Sequence, residues 1–361
     1  MTQTYVPYAD DLEHPSAEER QTIDAIIASM TRESEMTAER YQHAVRASHA
    51  KSTALLKGEL QVLDGLPEHL RQGLFSEVKR YPILARLAQG PGELLKDSVS
   101  THRGMAIKVL NVTGEKLPGH TTDEQDFVLA SGPVFSAPDA AGFLKSMKGL
   151  EKATGMPEAV KHAVSATARA ANAVLHAVGA DSPKLDFFGH TPRHPLVDPY
   201  YSQAPLRYGQ YVAKIAVFAV SPEILALGDG PLELDDPDVF RHATTAFMRT
   251  HEARFELRVQ LCTQLSSMPV EDASVEWPEA ESPYVAVARL TFPAQEAHSE
   301  PRAAYFNDVL SFRPAHSLAA HRPLGSIMRA RLKTYQALSA FRHSHNHVQQ
   351  VDPLDLAQVP D

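Results

Sequence analysis

Apolar and polar residues alternate with a period of two in six stretches of the chain, and each predicts a strand half-buried on a sheet. The stretches are 53–63 (Leu56, Gly58, Leu60 and Val62 in alternation), Ala106–Val112, Phe127–Ala130, Tyr211–Val220, Phe255–Thr263 and Val285–Phe292. A helical period runs through 17–46, opened by Ala17 and Glu18 and carried by Ile23, Ile26, Ile27 and Met30. The alanine-rich stretch 151–180 has no proline after Pro157 and predicts a helix with Gly179 as its C-cap. Asp235–Thr250 is a further helical candidate, and Leu324–His347, opened after Pro323, is the last long helix. Pro-punctuated 278–283 is a connector. Residues 1–20 form a polar arm, and the polar tail after Asp352, with two prolines, is expected to be loosely held. No repeat of 20–50 residues is present. The pattern is α+β with mostly antiparallel strands, and by itself it does not separate a barrel from a sandwich.

Composition narrows the function classes. The 361 residues are 43% hydrophobic, enough for a large core, and the length allows two domains or one barrel. Lys and Arg number 35 against 44 Asp and Glu, a formal charge of −9, which argues against nucleic acid or an anionic membrane surface as partner. Cys262 is the single cysteine, so neither an internal disulfide nor a thiolate metal cluster can form. The longest apolar runs, such as Ile215–Val220, are too short to span a bilayer. Asp10, Asp11, Glu13, Glu18 and Glu19 crowd the first twenty residues, so no secretory signal is expected and the cytoplasm is the expected compartment.

The last helix carries the strongest chemical signal. Arg331, Tyr335 and Arg342 fall roughly 40° and 20° apart from the first position at 100° per residue, so they share one stripe. Leu332, Ala337, Leu338 and Phe341 lie near it. An Arg one turn from a phenol favours negative charge on its oxygen, which is then a hard donor suited to ferric iron. A second Arg two turns on suits a carboxylate. The competing reading is a surface helix with scattered arginines and one half-buried tyrosine.

Arg-x-x-x-Tyr near the end of a chain, with another Arg seven residues on, resembles the haem-binding helix of the catalases. Arg46-Ala47-Ser48-His49-Ala50-Lys51 resembles the family's R-x-x-H-A-K segment, and Arg86-Leu87 its R-F-S segment. His102–Lys108 resembles its D-P-R-G-F-A-V-K strand, and Pro269–Glu279 the stretch after its last barrel strands. The segments follow the family's order over roughly residues 40–345. The resemblance implies a closed antiparallel β-barrel with flanking and inserted helices and a C-terminal haem-ligating helix. It divides the chain into an N-terminal arm and helix (1–40), a haem domain (41–347, barrel about 41–295, proximal helix about 324–347) and a tail (348–361). It implies haem b as cofactor, with Tyr335 as the axial ligand of the iron. Arg331 would bond to the phenolate, Arg342, Arg46 and Arg86 would reach haem propionates, and His49 would be the distal catalytic residue.

The chain departs from the family at several points. Ala88 stands where a hydroxyl residue helps to orient the distal histidine. Thr121–Phe127 has no counterpart of the distal Asn, leaving Asp123, Gln125 and Asp126 as alternatives. Ser48 precedes His49, where members acting on organic hydroperoxides carry a hydroxyl able to bond the imidazole or a distal ligand. The first expectation is therefore a haem peroxidase that uses organic or hydrogen peroxide to oxidise a second, reducing substrate. Further expectations are a short true catalase, a rearrangement of fatty-acid hydroperoxides as in the allene-oxide-forming relatives, or, without catalysis, haem storage or sensing. A homo-oligomer is a possible assembly.

Other motifs carry less. His343, His345 and His347 point about 200° apart in steps of two on a helix, and are expected to be exposed residues favourable to its C-terminus. His251-Glu252 lacks the second histidine of a zinc-protease motif, since Phe255 stands there. His190 and His194 are loop residues. Gly90-Pro91-Gly92 and Gly228-Asp229-Gly230 are turns, and Cys262 is core packing.

Overall fold

Among the described residues nine antiparallel strands form one sheet, and eight of them, all but Leu206–Tyr208, close into a ring. The structure is a computed structural model and describes residues 4–154, 157–177 and 189–361. The strands are β1 (Ser52–Val62), β2 (Arg80–Gln89), β3 (Arg103–Leu110), β4 (Glu124–Ser131), β5 (Tyr200–Tyr201), β6 (Leu206–Tyr208), β7 (Tyr211–Ala219), β8 (Ala253–Leu261) and β9 (Val285–Phe292). β1 pairs with both β2 and β9, and short β5 bridges β4 to β7, so the ring has no free edge between them. β6 hairpins onto the remaining half of β7. Closure removes the unpaired strand edges that invite aggregation.

Alternation decides what each face does. Leu56, Ala85, Ile107 and Phe127 stand opposite one another across β1–β4 and belong to the barrel's interior cluster. One residue along, the side chains face out. There Leu55 and Leu84 meet Phe306, Phe312 and Val359, a second cluster outside the barrel. Ala88, Gly104 and Ala130 make an outward row of small residues across β2, β3 and β4, the floor on which the candidate site is built.

Helices α1 (Glu19–Tyr41), α2 (Ala140–Thr154), α3 (Glu158–Ala177), α4 (Val239–Met248) and α5 (Ser326–His345) flank the barrel. Ile26 of α1, Ala140 and Met147 of α2 and Ala330 of α5 form one apolar cluster, which places α1 and α2 against the last helix. Glu271 accepts from the Ser326 amide and Glu13 from the Gly325 amide, both at 2.9 Å, and both carboxylates also hold Arg329. The unpaired amides and positive end of α5 are thus met by negative charge.

Several expectations need correction. The first helix ends at Tyr41, where Gln42 turns into the left-handed region (φ 52°), so Arg46 lies in the loop that leads to His49 rather than at the end of that helix. The stretch 151–180 contributes to two helices, α2 and α3, and Gly179 lies outside the described residues. β2 escaped the alternation rule because its outer face is buried and carries apolar Leu84 and Ala88, so the run does not alternate. The tail is not loose: Val359 is buried, Lys57 donates to its carbonyl at 2.7 Å, and Arg302 donates to the Pro360 carbonyl at 3.1 Å. The N-terminal arm is likewise strapped to the barrel, through Val6 on Cys262 and Tyr8 on Gln210.

Candidate functional site

A cavity of about 1110 Å³ is lined on the barrel side by β4 and the loops around His49 and between β2 and β3, and on the other side by helices α1, α2 and α5. Arg46, Ser48, His49, Arg331, Tyr335 and Arg342 all line it, although they come from opposite ends of the chain. On the α5 side, Arg331 donates to the Tyr335 hydroxyl at 3.1 Å and to the Val128 carbonyl of β4 at 3.3 Å. Its guanidinium also sits over the phenol ring, 5.3 Å from the centroid. The barrel wall therefore aims Arg331, and Arg331 addresses the phenol oxygen.

His49 faces the same space from the barrel side. Its backbone is left-handed (φ 55°), an unusual state for a non-glycine residue, and its amide donates to the Gly90 carbonyl at 2.8 Å. Burial pushes the imidazole well below its ordinary range, with His102, Arg86 and Arg331 adding to the effect and the Ala88 carbonyl opposing it. His49 is accordingly neutral. Ser48 does not bond to this imidazole: its hydroxyl donates to the Gly90 carbonyl at 3.2 Å while facing the cavity.

At one end of the cavity positive charge accumulates. Arg46 donates to the carbonyls of Phe306 and Leu310, at 2.5 and 2.8 Å, and Arg342 to the Leu310 carbonyl and the Ser311 hydroxyl, each at 3.3 Å. The Nε atoms of both are buried with no partner. Burial lowers both guanidinium groups well below their usual range, Arg86 adding to the effect on Arg46 and Arg46 to that on Arg342. Arg86 stands behind the wall rather than in the lining, donating to the Ala50 carbonyl at 3.0 Å and to Asn307 at 3.2 Å, and burial followed by Arg342 lowers it to about 9. Asp308 acts in the other direction on Arg46 and Arg342 but is itself paired with His43 at 2.8 Å. Such a cluster is short of negative charge, and a buried anion with two carboxylates would complete it.

Asp123, Gln125 and Asp126 do not line the cavity. Gln125 accepts from the Leu318 amide at 2.8 Å, and Asp126 pairs with Lys108 at 3.0 Å. Glu124, His120 and His316 lie close enough together to suit a metal ion. The Lys108 ammonium, 2.8 Å from Glu124 and 3.3 Å from His316 Nδ1, already supplies positive charge there. His343 is not an exposed cation, since burial and the neighbouring arginines Arg342, Arg313 and Arg46 bring it down to about 4. Cys262 is buried in an apolar cluster, and burial raises its thiol to about 11.

Sequence reasoning passed over the glycines of the site. A Cβ on Gly104 would stand 2.7 Å from the His49 ring, and one on Gly92 would stand 2.4 Å from the Ala47 carbonyl oxygen. The available signal was a glycine inside an alternating strand, a mark of close approach by another part of the chain.

A fungal catalase crystal structure superposes with a TM-score of 0.59 at 17% identity, over 90% of this chain and 68% of that one. A bacterial catalase structure gives 0.56 at 15%, over 85% of this chain and 60% of that one. The fold is catalase-like. The chain spans about two thirds of the length of these structures. No family model matches the sequence, and no curated protein matches it. Among the described residues no helix is long and apolar enough to cross a membrane.

Proposed function

We propose that this catalase-like protein binds haem b and acts as a peroxidase, cleaving the O–O bond of an organic or hydrogen peroxide and oxidising a second substrate. The reading rests above all on one observation: an Arg-supported phenol, a neutral imidazole and two buried arginines lacking a carboxylate partner line a single cavity. These residues fit a haem. Tyr335 would ligate its iron, with Arg331 supporting negative charge on the phenol oxygen. Arg46 and Arg342 would take the two propionates, and Arg86 would add positive potential from behind. When bound, haem would supply the redox-active iron that peroxide cleavage requires.

The chain's own residues manage the proton. A neutral His49 takes the proton of the incoming hydroperoxide on a ring nitrogen and returns it to the departing oxygen, acting first as base and then as acid. Its low proton affinity keeps it unprotonated before the substrate arrives. Phe135, Phe143, Met147 and Ile327 give part of the cavity an apolar lining, and charge interactions beside it are strengthened accordingly.

The test begins with the absorption spectrum of protein expressed with ample porphyrin precursor, where a Soret band with high-spin ferric features is expected. Oxidation of a phenolic electron donor at the expense of tert-butyl hydroperoxide should follow. Steady oxygen release from hydrogen peroxide would instead make it a true catalase, and product formation from a lipid hydroperoxide without donor consumption a rearranging enzyme. Tyr-ligated haem inert toward every peroxide would leave storage or sensing. Colourless protein unable to take up haem overturns the reading.

A further inference from the structure

Two of the histidines that line the cavity touch. His49 and His102 meet edge to face, ring centroids 5.4 Å apart and planes at 79°. They come from different segments, one following α1 and the other preceding β3. Gly90 joins them: its carbonyl accepts from the His49 amide and its amide donates to the His102 carbonyl, both at 2.8 Å. Each ring lies on a bare glycine. A Cβ on Gly104 would come within 2.7 Å of the His49 ring, and one on Gly90 within 2.1 Å of His102 Cε1. Real Cβ atoms do not approach so closely, so both beds require glycine.

The His49 ring lacks a side-chain partner. Its Nδ1 is buried without a hydrogen bond. Ala88, opposite Gly104 in register, carries no polar side chain, and the Ser48 hydroxyl is turned to the Gly90 carbonyl. A proton-carrying group must nonetheless be held close to one geometry, because misplacement by an ångström is enough to slow a reaction severely.

We propose that His102 is the positioning residue for His49. Its ring and the bare Gly104 backbone clamp the imidazole plane over the cavity, in place of a hydrogen-bonded side chain. Edge-to-face packing of two aromatic rings favours one relative orientation, and the glycine floor removes the space into which the His49 ring would otherwise tilt. The left-handed backbone at His49 then fixes where the ring enters the clamp. The inference rests on His49 being the proton carrier of the proposed peroxidase.

The test compares His102→Ala, His102→Gln and His102→Phe in the full-length protein, with His49→Ala as reference. In the haem-free protein, the NMR signal of the His49 ring should be sharp and displaced by its neighbour's ring in the wild type and in His102→Phe. In the Ala and Gln variants it should move toward that of a free imidazole. In the haem-loaded protein, His102→Ala and His102→Gln should lower kcat for tert-butyl hydroperoxide by about 10²-fold with KM nearly unchanged. His102→Phe, which keeps the ring edge and drops the nitrogens, should restore most of it. The clamp is overturned if the Phe variant is as slow as the Ala variant, or if the Ala variant keeps the wild-type kcat and His49 signal. An unaffected rate in His49→Ala would strike the proton-carrier reading instead, and the His49 signal would still report on the clamp.

Discussion

Arg331 lies one helical turn before Tyr335, and its guanidinium reaches the phenol oxygen at 3.1 Å while also bonding the β4 carbonyl of Val128. Tyr335 is thus addressed from the barrel as well as from its own helix. Tyr335→Phe removes the one oxygen to which this arrangement points. The variant is expected to fold, since the ring packs unchanged, and to lose stable haem uptake or show a different ferric spectrum. An unchanged charge-transfer band after reconstitution would contradict the ligand assignment.

Arg342 is buried among Arg46, Arg313 and His343 without a carboxylate partner. Truncating it removes self-repulsion from the haem-free protein and an anion contact from the loaded one. Arg342→Met should therefore leave the melting temperature of the haem-free protein unchanged or higher. Haem affinity should drop by roughly 10–100-fold, the range of one charge-assisted hydrogen bond at about 1.5–3 kcal/mol. A melting curve and a haem titration read the two effects separately. A lower melting temperature with unaltered affinity would mean that the guanidinium is purely structural.

The pH profile follows from His49. Its proton affinity in the folded protein lies well below the ordinary value of 6.5, because burial and then His102, Arg86 and Arg331 disfavour the cation. The unfolded chain binds that proton more readily, so His49 makes folding less favourable as pH falls below 6.5, and has no such effect above it. The same neutrality keeps the base competent in mild acid. The acid limb of kcat/KM for a peroxide is expected well below pH 6.5 in wild type. A limb centred at or above 6.5 would remove His49 from the reaction.

How much of this was legible beforehand depends on which face of an element does the work. The period-two stretches around Leu56, Ile107 and Ile215 were readable because one side of each fills the barrel. β2 was not, because Leu84 and Ala88 on its outer face are apolar like Ile83 and Ala85 on its inner face, whereas β3 and β7 break the run with the buried Lys108 and Lys214. Arg331 and Tyr335 were paired by helical spacing alone. Arg46 and His49 joined them only through resemblance, since no local pattern brings residue 49 beside residue 335. The floor of small residues, Ala88, Gly104 and Ala130, was invisible because register across three strands is a tertiary fact. Arg86 has the residue type expected of an anion contact, and the backbone turns it instead toward Asn307 and Ala50.

Lys108 ties the barrel to its surroundings through charge. Its fully buried ammonium lies 2.8 Å from Glu124 and 3.0 Å from Asp126, and His316 Nδ1 stands 2.7 Å from Glu124. Burial alone would raise the Glu124 carboxyl, but Lys108 and His316 together outweigh it and hold the group at about 2. Its contribution to stability is therefore present above the unfolded value of 4.5 and is lost as pH falls through about 2. Lys108→Met leaves the buried Glu124 and Asp126 carboxylates with His316 and Arg313 to meet them, and should destabilise the fold by about 3–5 kcal/mol at neutral pH. The sign of the Glu124 pH dependence then reverses. Without the ammonium, burial raises the folded carboxyl above its unfolded value, so its stabilising share exists at low pH and disappears as pH rises. Urea melts at pH 5 and pH 8 decide the matter: His316, whose proton affinity Asp126 and Glu124 raise against burial, makes wild type somewhat less stable at pH 8, and the variant should lose clearly more there. Equal pH slopes for the two proteins would show that the ammonium does not hold the carboxylates ionised.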